Sequence, residues 1–272
     1  EMPLPLAALW GILQGVTEFL PVSSSGHLAL IPWLLGGSVP GLLFDLVVHG
    51  GTLLAILAYF WRDVKGLFVG AWRLVSRRRA DTPEGALVWW ILVSALPAAV
   101  AGALASDLVE RALTAPWMVS ALLAATGGIL YFAERLGRRT RALDSLGWRD
   151  ALWIGLAQAV ALMPGISRSG ATISAGLVRG LERQAAARFS FLMALPVIAG
   201  ALMMEILHAL RGGLPPAEGA SLWVGFVASA LSGYWALRFL FRHVRARSLR
   251  PFAYYCWAIA FVGLAVSLLR GM

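Results

Sequence analysis

The chain has 272 residues, of which 59% are hydrophobic and 14% charged, whereas a soluble domain carries about 25% charged residues. That deficit, with a mean hydropathy of +0.75, excludes an ordinary cytosolic enzyme and a disordered chain. The net charge of +9 comes without a soluble basic fold, which argues against a nucleic-acid partner, and the single cysteine, Cys256, excludes an intrachain disulfide.

The first residues, Glu1-Met2-Pro3-Leu4-Pro5, lack the basic segment of a cleaved leader. An apolar region over 4–36 follows, interrupted at Pro21-Val22-Ser23-Ser24-Ser25-Gly26. Pro, Gly and consecutive Ser disfavour a continuous helix. Each arm is too short for the ~20 residues of a spanning helix, so a re-entrant hairpin is expected. Three spans come next, at 41–61, 86–105 and 115–134. A second interrupted region, 151–180, breaks at Pro164-Gly165-Ile166-Ser167-Arg168-Ser169-Gly170 and predicts a second hairpin. Three further spans follow, at 189–210, 221–240 and 251–270.

The basic residues gather between these spans. Arg62, Lys65, Arg73, Arg77, Arg78 and Arg79 fall in one connection, and Arg135, Arg138, Arg139, Arg141 and Arg149 in another. Arg179, Arg183 and Arg188 flank the second hairpin, and Arg238, Arg242, Arg245, Arg247 and Arg250 mark a fourth connection. The positive-inside rule puts all four clusters in the cytoplasm. Six spans with both termini outside then follow, with hairpins entering from opposite faces.

The two interrupted regions are copies. Gly11, Gln14, Val16, Ser23, Ser25 and Gly26 recur 144 residues later as Gly155, Gln158, Val160, Ser167, Ser169 and Gly170. Roughly one identity is expected by composition in such a window. One hairpin plus three spans per copy makes an inverted-topology repeat, with halves 1–144 and 145–272 in a single membrane domain. Broken segments then meet near the midplane, where irregular backbone needs a protein or aqueous surround. The expected fold is an all-α integral membrane protein of six transmembrane helices and two re-entrant helical hairpins.

The chemistry-bearing residues lie in the two breaks. Gln14 and Glu18 share a helix face, and an ionisable side chain inside a membrane segment is a functional candidate. The Ser23-Ser24-Ser25-Gly26 turn leads into a helix near His27, and such a turn offers N–H groups to an anion. Ser167, Arg168, Ser169, Gly170 and Thr172 repeat the turn and add a guanidinium suited to phosphate. The copies differ where chemistry would need it: Glu18 is matched by Leu162, Ser24 by Arg168 and His27 by Ala171. Asp45 and His49, one turn apart, are candidates to line the same cavity. Glu205 and His208 read as interfacial, and His243 as solvated.

These residues resemble the undecaprenyl pyrophosphate phosphatase family of bacterial membranes, associated with bacitracin resistance. Its two signatures read here as Gln14-x-x-x-Glu18 before the Ser turn, and Pro164-Gly165-Ile166-Ser167-Arg168-Ser169-Gly170-Ala171-Thr172. The likeness extends through Phe44-Asp45 and Phe189-Ser190-Phe191-Leu192 to nearly the whole chain. The resemblance implies hydrolysis of undecaprenyl pyrophosphate to undecaprenyl phosphate and inorganic phosphate, which recycles the lipid carrier of cell-wall glycans. It places Glu18, Ser24, His27, Ser167, Arg168 and Thr172 in the active site, facing outward from the bacterial cytoplasmic membrane. It implies a divalent cation, Mg²⁺ or Ca²⁺, with Glu18 as ligand. Gln14 stands where Glu is frequent and is a second, weaker candidate. Ser24, His27 and a metal-activated water stay open as nucleophile, with Ser24 favoured and His27 as acid/base. The partners are a polyprenyl diphosphate and membrane lipids, and the oligomeric state, a homodimer included, is open. A transporter or lipid-carrier flippase is the alternative, because inverted repeats with broken helices also build transporters.

Overall fold

The computed structural model describes residues 2–37, 40–77, 82–212 and 219–271. Within them the chain is all-helical, without a strand apart from one isolated bridge between Arg141 and Leu181. Six helices are long and apolar enough to cross a membrane: α3 (Leu42–Tyr59), α5 (Pro83–Leu104), α7 (Pro116–Leu136), α10 (Arg183–Gly212), α11 (Gly219–Ala246) and α12 (Arg250–Leu269). They coincide with the six predicted spans. The interrupted regions form helix pairs, α1 (Leu4–Phe19) with α2 (Ser24–Leu35), and α8 (Trp148–Val160) with α9 (Arg168–Val178).

Local sequence sets the helix ends. Pro sits at the first turn of α1, α5, α7 and α12, where its missing N–H costs no hydrogen bond. Thr82 caps α5 by accepting the Gly85 N–H at 3.2 Å. Gly36 closes α2 in the left-handed region, φ 68°.

Two elements correct the sequence reading. The connection carrying Arg62, Lys65 and Arg73 is a helix, α4 (Trp61–Arg77), and a short α6 (Ser106–Leu113) follows α5. Both are amphipathic. Their charges hide them from a search for apolar runs, while their apolar residues return at helical spacing. Arg78 and Arg79 lie outside the described residues, as do the side chains of Glu205 and His208. His243 is half-buried rather than solvated: Nε2 lies 2.8 Å from the Ser248 carbonyl oxygen, and its ring packs on Phe239 and Phe252.

Small residues let the helices approach closely, as expected where lipid removes the hydrophobic drive between them. α1 lies on α11 with Gly11 against the Gly225 carbonyl. α8 lies on α5 with Gly155 against the Ser94 carbonyl. α7 and α12 pair, and the Trp257 indole donates to the Ala124 carbonyl at 3.0 Å. The core fills with Phe19, Phe189, Phe191 and Leu192, all fully buried, and Phe19 meets Phe191 edge-on at 5.8 Å. Behind α7, the buried Glu134 carboxylate accepts from Arg139 Nη1 (2.7 Å), Arg183 Nε (2.8 Å) and the Leu249 N–H (2.8 Å). Asp150 accepts from Arg141 Nη2 (2.7 Å) and Arg179 Nε (2.6 Å). Several arginines of the basic clusters are therefore structural clamps.

Candidate active site

The two breaks meet. Gly26 packs against Gly165, where a Cβ on Gly26 would fall 3.3 Å from the Gly165 Cα. Ser169 Oγ donates across to the Leu20 carbonyl at 3.3 Å. Each break makes the same local bonds. Ser23 Oγ accepts the Gly26 N–H at 3.2 Å and lies 3.3 Å from Ser25 Oγ. Ser167 Oγ accepts the Gly170 N–H at 3.1 Å and lies 3.2 Å from Ser169 Oγ. These bonds cap α2 and α9, so both helix N-termini border one small cavity of about 200 Å³ lined by Glu18, Ser23, Ser24, Ser25, Ser167 and Arg168. Aligned helix dipoles and free N–H groups favour an anion there.

Four predicted residues come together in direct contact. Arg168 Nη2 donates to Glu18 Oε1 at 2.6 Å, joining positions 150 residues apart. Ser24 Oγ donates to Glu18 Oε2 at 2.8 Å, and Gln14 Nε2 donates to the same oxygen at 3.2 Å. The pairing compensates the cost of a buried carboxylate. It also sets a hydroxyl, a base for its proton and a guanidinium within one small volume. Ser23 adopts φ 69°, uncommon for a residue with a side chain, at the turn that aims Ser24.

Other predicted residues stand further back. His27 is 2% exposed and lines neither this cavity nor the larger one beside it. Its Nδ1 is 2.8 Å from the Ser23 carbonyl oxygen, and its Nε2 is 2.8 Å from the Tyr255 hydroxyl, whose ring stacks on it. A carbonyl only accepts, so Nδ1 carries the hydrogen and Tyr255 donates to Nε2. Thr172 donates to the Arg168 carbonyl at 2.7 Å and meets Ser190 Oγ at 2.5 Å, holding the start of α9 from behind. Thr126 accepts the Ser167 N–H at 3.0 Å and donates to the Gly165 carbonyl at 2.9 Å. Tyr255 and Thr126 were not foreseen, because nothing in their local sequence marks them, and Ser190 lay in a stretch of family likeness without being singled out for the site.

The small cavity adjoins a larger one of about 770 Å³, with which it shares Ser24, Ser25, Leu162 and Arg168. Its remaining wall is mostly apolar, including Leu28, Trp33, Pro116, Val197, Ile198 and Leu202, and it includes Asp45 and His49. An anion-binding end beside an apolar chamber suits an amphiphile with a charged head.

Residues 7–262 match the family described as bacitracin resistance protein BacA. The chain belongs to the BacA family. It is 46% identical over 255 residues to the undecaprenyl-diphosphatase of Pelobacter propionicus, an alignment covering 93% of each chain. It is 44% identical over 264 residues to that of Desulforudis audaxviator, covering 96% of this chain and 97% of the other. The Rubrobacter xylanophilus undecaprenyl-diphosphatase is 45% identical over 268 residues, 97% and 98% of the two chains. The family match runs through both breaks and into α12, so it covers the whole candidate site. Among the described residues no cluster of three His, Cys, Asp or Glu could hold a metal unaided.

Proposed function

We propose that this membrane protein hydrolyses undecaprenyl pyrophosphate to undecaprenyl phosphate and inorganic phosphate. The observation that carries the reading is the Ser24–Glu18–Arg168 contact set between two helix N-termini, beside an apolar chamber. Family membership and relatives named undecaprenyl-diphosphatase support the same substrate.

Ser24 is the nucleophile. Glu18 Oε2 takes its proton as Oγ attacks the terminal phosphorus. Arg168 and the N–H groups at the starts of α2 and α9 bind the charge that builds on the equatorial oxygens. The bridging P–O bond breaks and its electron pair leaves on the lipid monophosphate. Water then attacks the phosphoserine, and Glu18 carries the proton balance back as phosphate departs. Ser23, Ser25, Gly26, Ser167, Ser169 and Thr172 shape and hold the anion site. His27 supports the turn through the Ser23 carbonyl.

The donor set also fits a divalent cation. Gln14 Oε1 is buried without a hydrogen-bond partner, on the side chain whose Nε2 donates to Glu18 Oε2. Mg²⁺ and Ca²⁺ accept such oxygen ligands and are commonly completed by substrate phosphates. When bound, the ion would neutralise phosphate charge.

The setting is the bacterial cytoplasmic membrane, with the site opening outward. The basic connections support this orientation, because the larger cavity is lined by the starts of α3 and α7, at the ends away from them. An inverted repeat with re-entrant hairpins is supported by the matched capping bonds and by reciprocal packing. α1 lies on α11 as α8 lies on α5, and α3 meets α11 as α10 meets α5. Halves 1–144 and 145–272 are the division this symmetry supports.

The test is phosphate release in detergent from a polyprenyl diphosphate, with Mg²⁺, Ca²⁺ or EDTA. Cation-dependent release is expected, and Ser24→Ala and Arg168→Ala should each lower it by roughly 10³-fold or more. Absence of release from the intact protein would refute the phosphatase reading.

A further inference from the structure

His49 lines the larger cavity that His27 does not reach. Its Nδ1 lies 2.9 Å from the Asp45 carbonyl oxygen and 3.5 Å from the Asp45 carboxylate. The carbonyl accepts the Nδ1 hydrogen, so Nε2 is the ring nitrogen that gains and loses a proton. The two side chains are 28% and 38% exposed.

The charged neighbours are few. Among the described residues lining this cavity they are Asp45 on α3 itself and Arg168 from α9. Glu18 of α1 lies close enough to interact electrostatically with His49. α10 brings Val197, Ile198, Ala201 and Leu202, while α11 packs on α3 through Phe226, Ser229 and Ala230. Among the described residues, an imidazolium here therefore faces Asp45, Glu18 and the Arg168 end of the phosphate site.

The two cavities meet at Ser24 and Arg168. A lipid diphosphate whose terminal phosphate reaches Ser24 from the apolar chamber keeps its lipid-bearing phosphate in that chamber, on the side of Asp45 and His49. Building on the phosphatase reading, we infer that His49 is the general acid for the departing lipid phosphate and that Asp45 is its positioning residue. As the Ser24 Oγ–P bond forms and the bridging P–O bond breaks, the electron pair stays on the bridging oxygen, which takes the proton from His49 Nε2. The Ser24 proton goes to Glu18, and solvent reprotonates His49 before the next turnover.

The test measures kcat and KM of the full chain in detergent across about pH 5 to 9, around the imidazole range, with thermal unfolding as a folding control. Wild type should lose kcat as pH rises through the imidazole titration. His49→Gln should cut kcat by about 10²-fold and abolish that basic limb. Asp45→Asn should keep the limb but move it along the pH axis, because the ring has lost the carboxylate 3.5 Å from Nδ1. A His49→Gln enzyme with the wild-type rate and limb overturns the assignment. So does an Asp45→Asn enzyme whose limb does not move, and this variant alone decides if His49→Gln fails to fold. A wild-type chain releasing no phosphate would refute the phosphatase reading and this assignment together.

Discussion

Glu18 is tied by both oxygens, to Arg168 on one side and to Ser24 and Gln14 on the other. A carboxylate this buried is stable only while paired, and the same pairing aims it at one hydroxyl, as the proposed base requires. Gln14 is the informative departure. As an amide it donates to Glu18 and leaves Oε1 with no partner. Gln14→Glu would place a second carboxylate beside Glu18. The expected result is tighter cation activation, with the half-activating Mg²⁺ concentration falling by about tenfold, and a loss of turnover at low cation from unrelieved repulsion. A cation titration of phosphate release checks both. Glu18, Ser24 and Arg168 were legible because ionisable or consecutive polar residues are rare in apolar segments. The seclusion of His27 behind Tyr255 was not, since its partner lies 228 positions away.

At the scale of the elements, the turns decide the site. Gly165 adopts φ 99°, and a Cβ there would fall 2.4 Å from the Val119 carbonyl oxygen of α7. Gly165→Ala combines an unfavourable backbone region with a backbone clash, and should destabilise the fold by about 3 kcal/mol or more. Thermal unfolding in detergent, together with folded yield, measures this. Both breaks were readable from Pro, Gly and Ser, and all six long helices from uninterrupted apolar runs. α4 and α6 were not. An amphipathic helix has no excess of apolar residues, only a periodic arrangement, and its length is set by what it packs on. α4 is placed by α5, where Gly70 admits the Glu84–Gly85 backbone.

Across the whole molecule, two buried carboxylates fasten the basic clusters. Glu134 joins α7 to the start of α10 and to the Leu249 N–H before α12. Glu134→Ala would strand the arginines and that N–H, and a loss of about 3–5 kcal/mol is expected, read as a fall in unfolding temperature. Asp150 is exposed at only 3%. Burial pushes its carboxyl up, but hydrogen bonds from Arg141, Arg179 and the Gly147 N–H prevail and hold it at about 2, against an ordinary 3.8. A depressed carboxyl stabilises the fold above its unfolded value and loses that contribution as pH falls through its folded value. About 2 kcal/mol should therefore be present above about pH 4 and disappear toward pH 2. Comparing unfolding temperatures of wild type and Asp150→Asn across that range tests it: their gap should close at the acid end.

The sequence by itself determined where the long apolar helices lie and where the chain is interrupted. Apolar run length set the spans, breakers set the interruptions, and the 144-residue offset related the two breaks. Those properties are local or additive, so they survive in one dimension. Tertiary structure alone decided which polar groups meet. Arg168 reaches Glu18 only because α9 starts against the turn before α2, and His27 is withdrawn only because α12 presents Tyr255. His49 faces the shared cavity only because α3 packs between α1, α10 and α11. Such meetings depend on close helix approach through small residues such as Gly11 and Gly155, whose effect lies in what they allow two distant backbones to do.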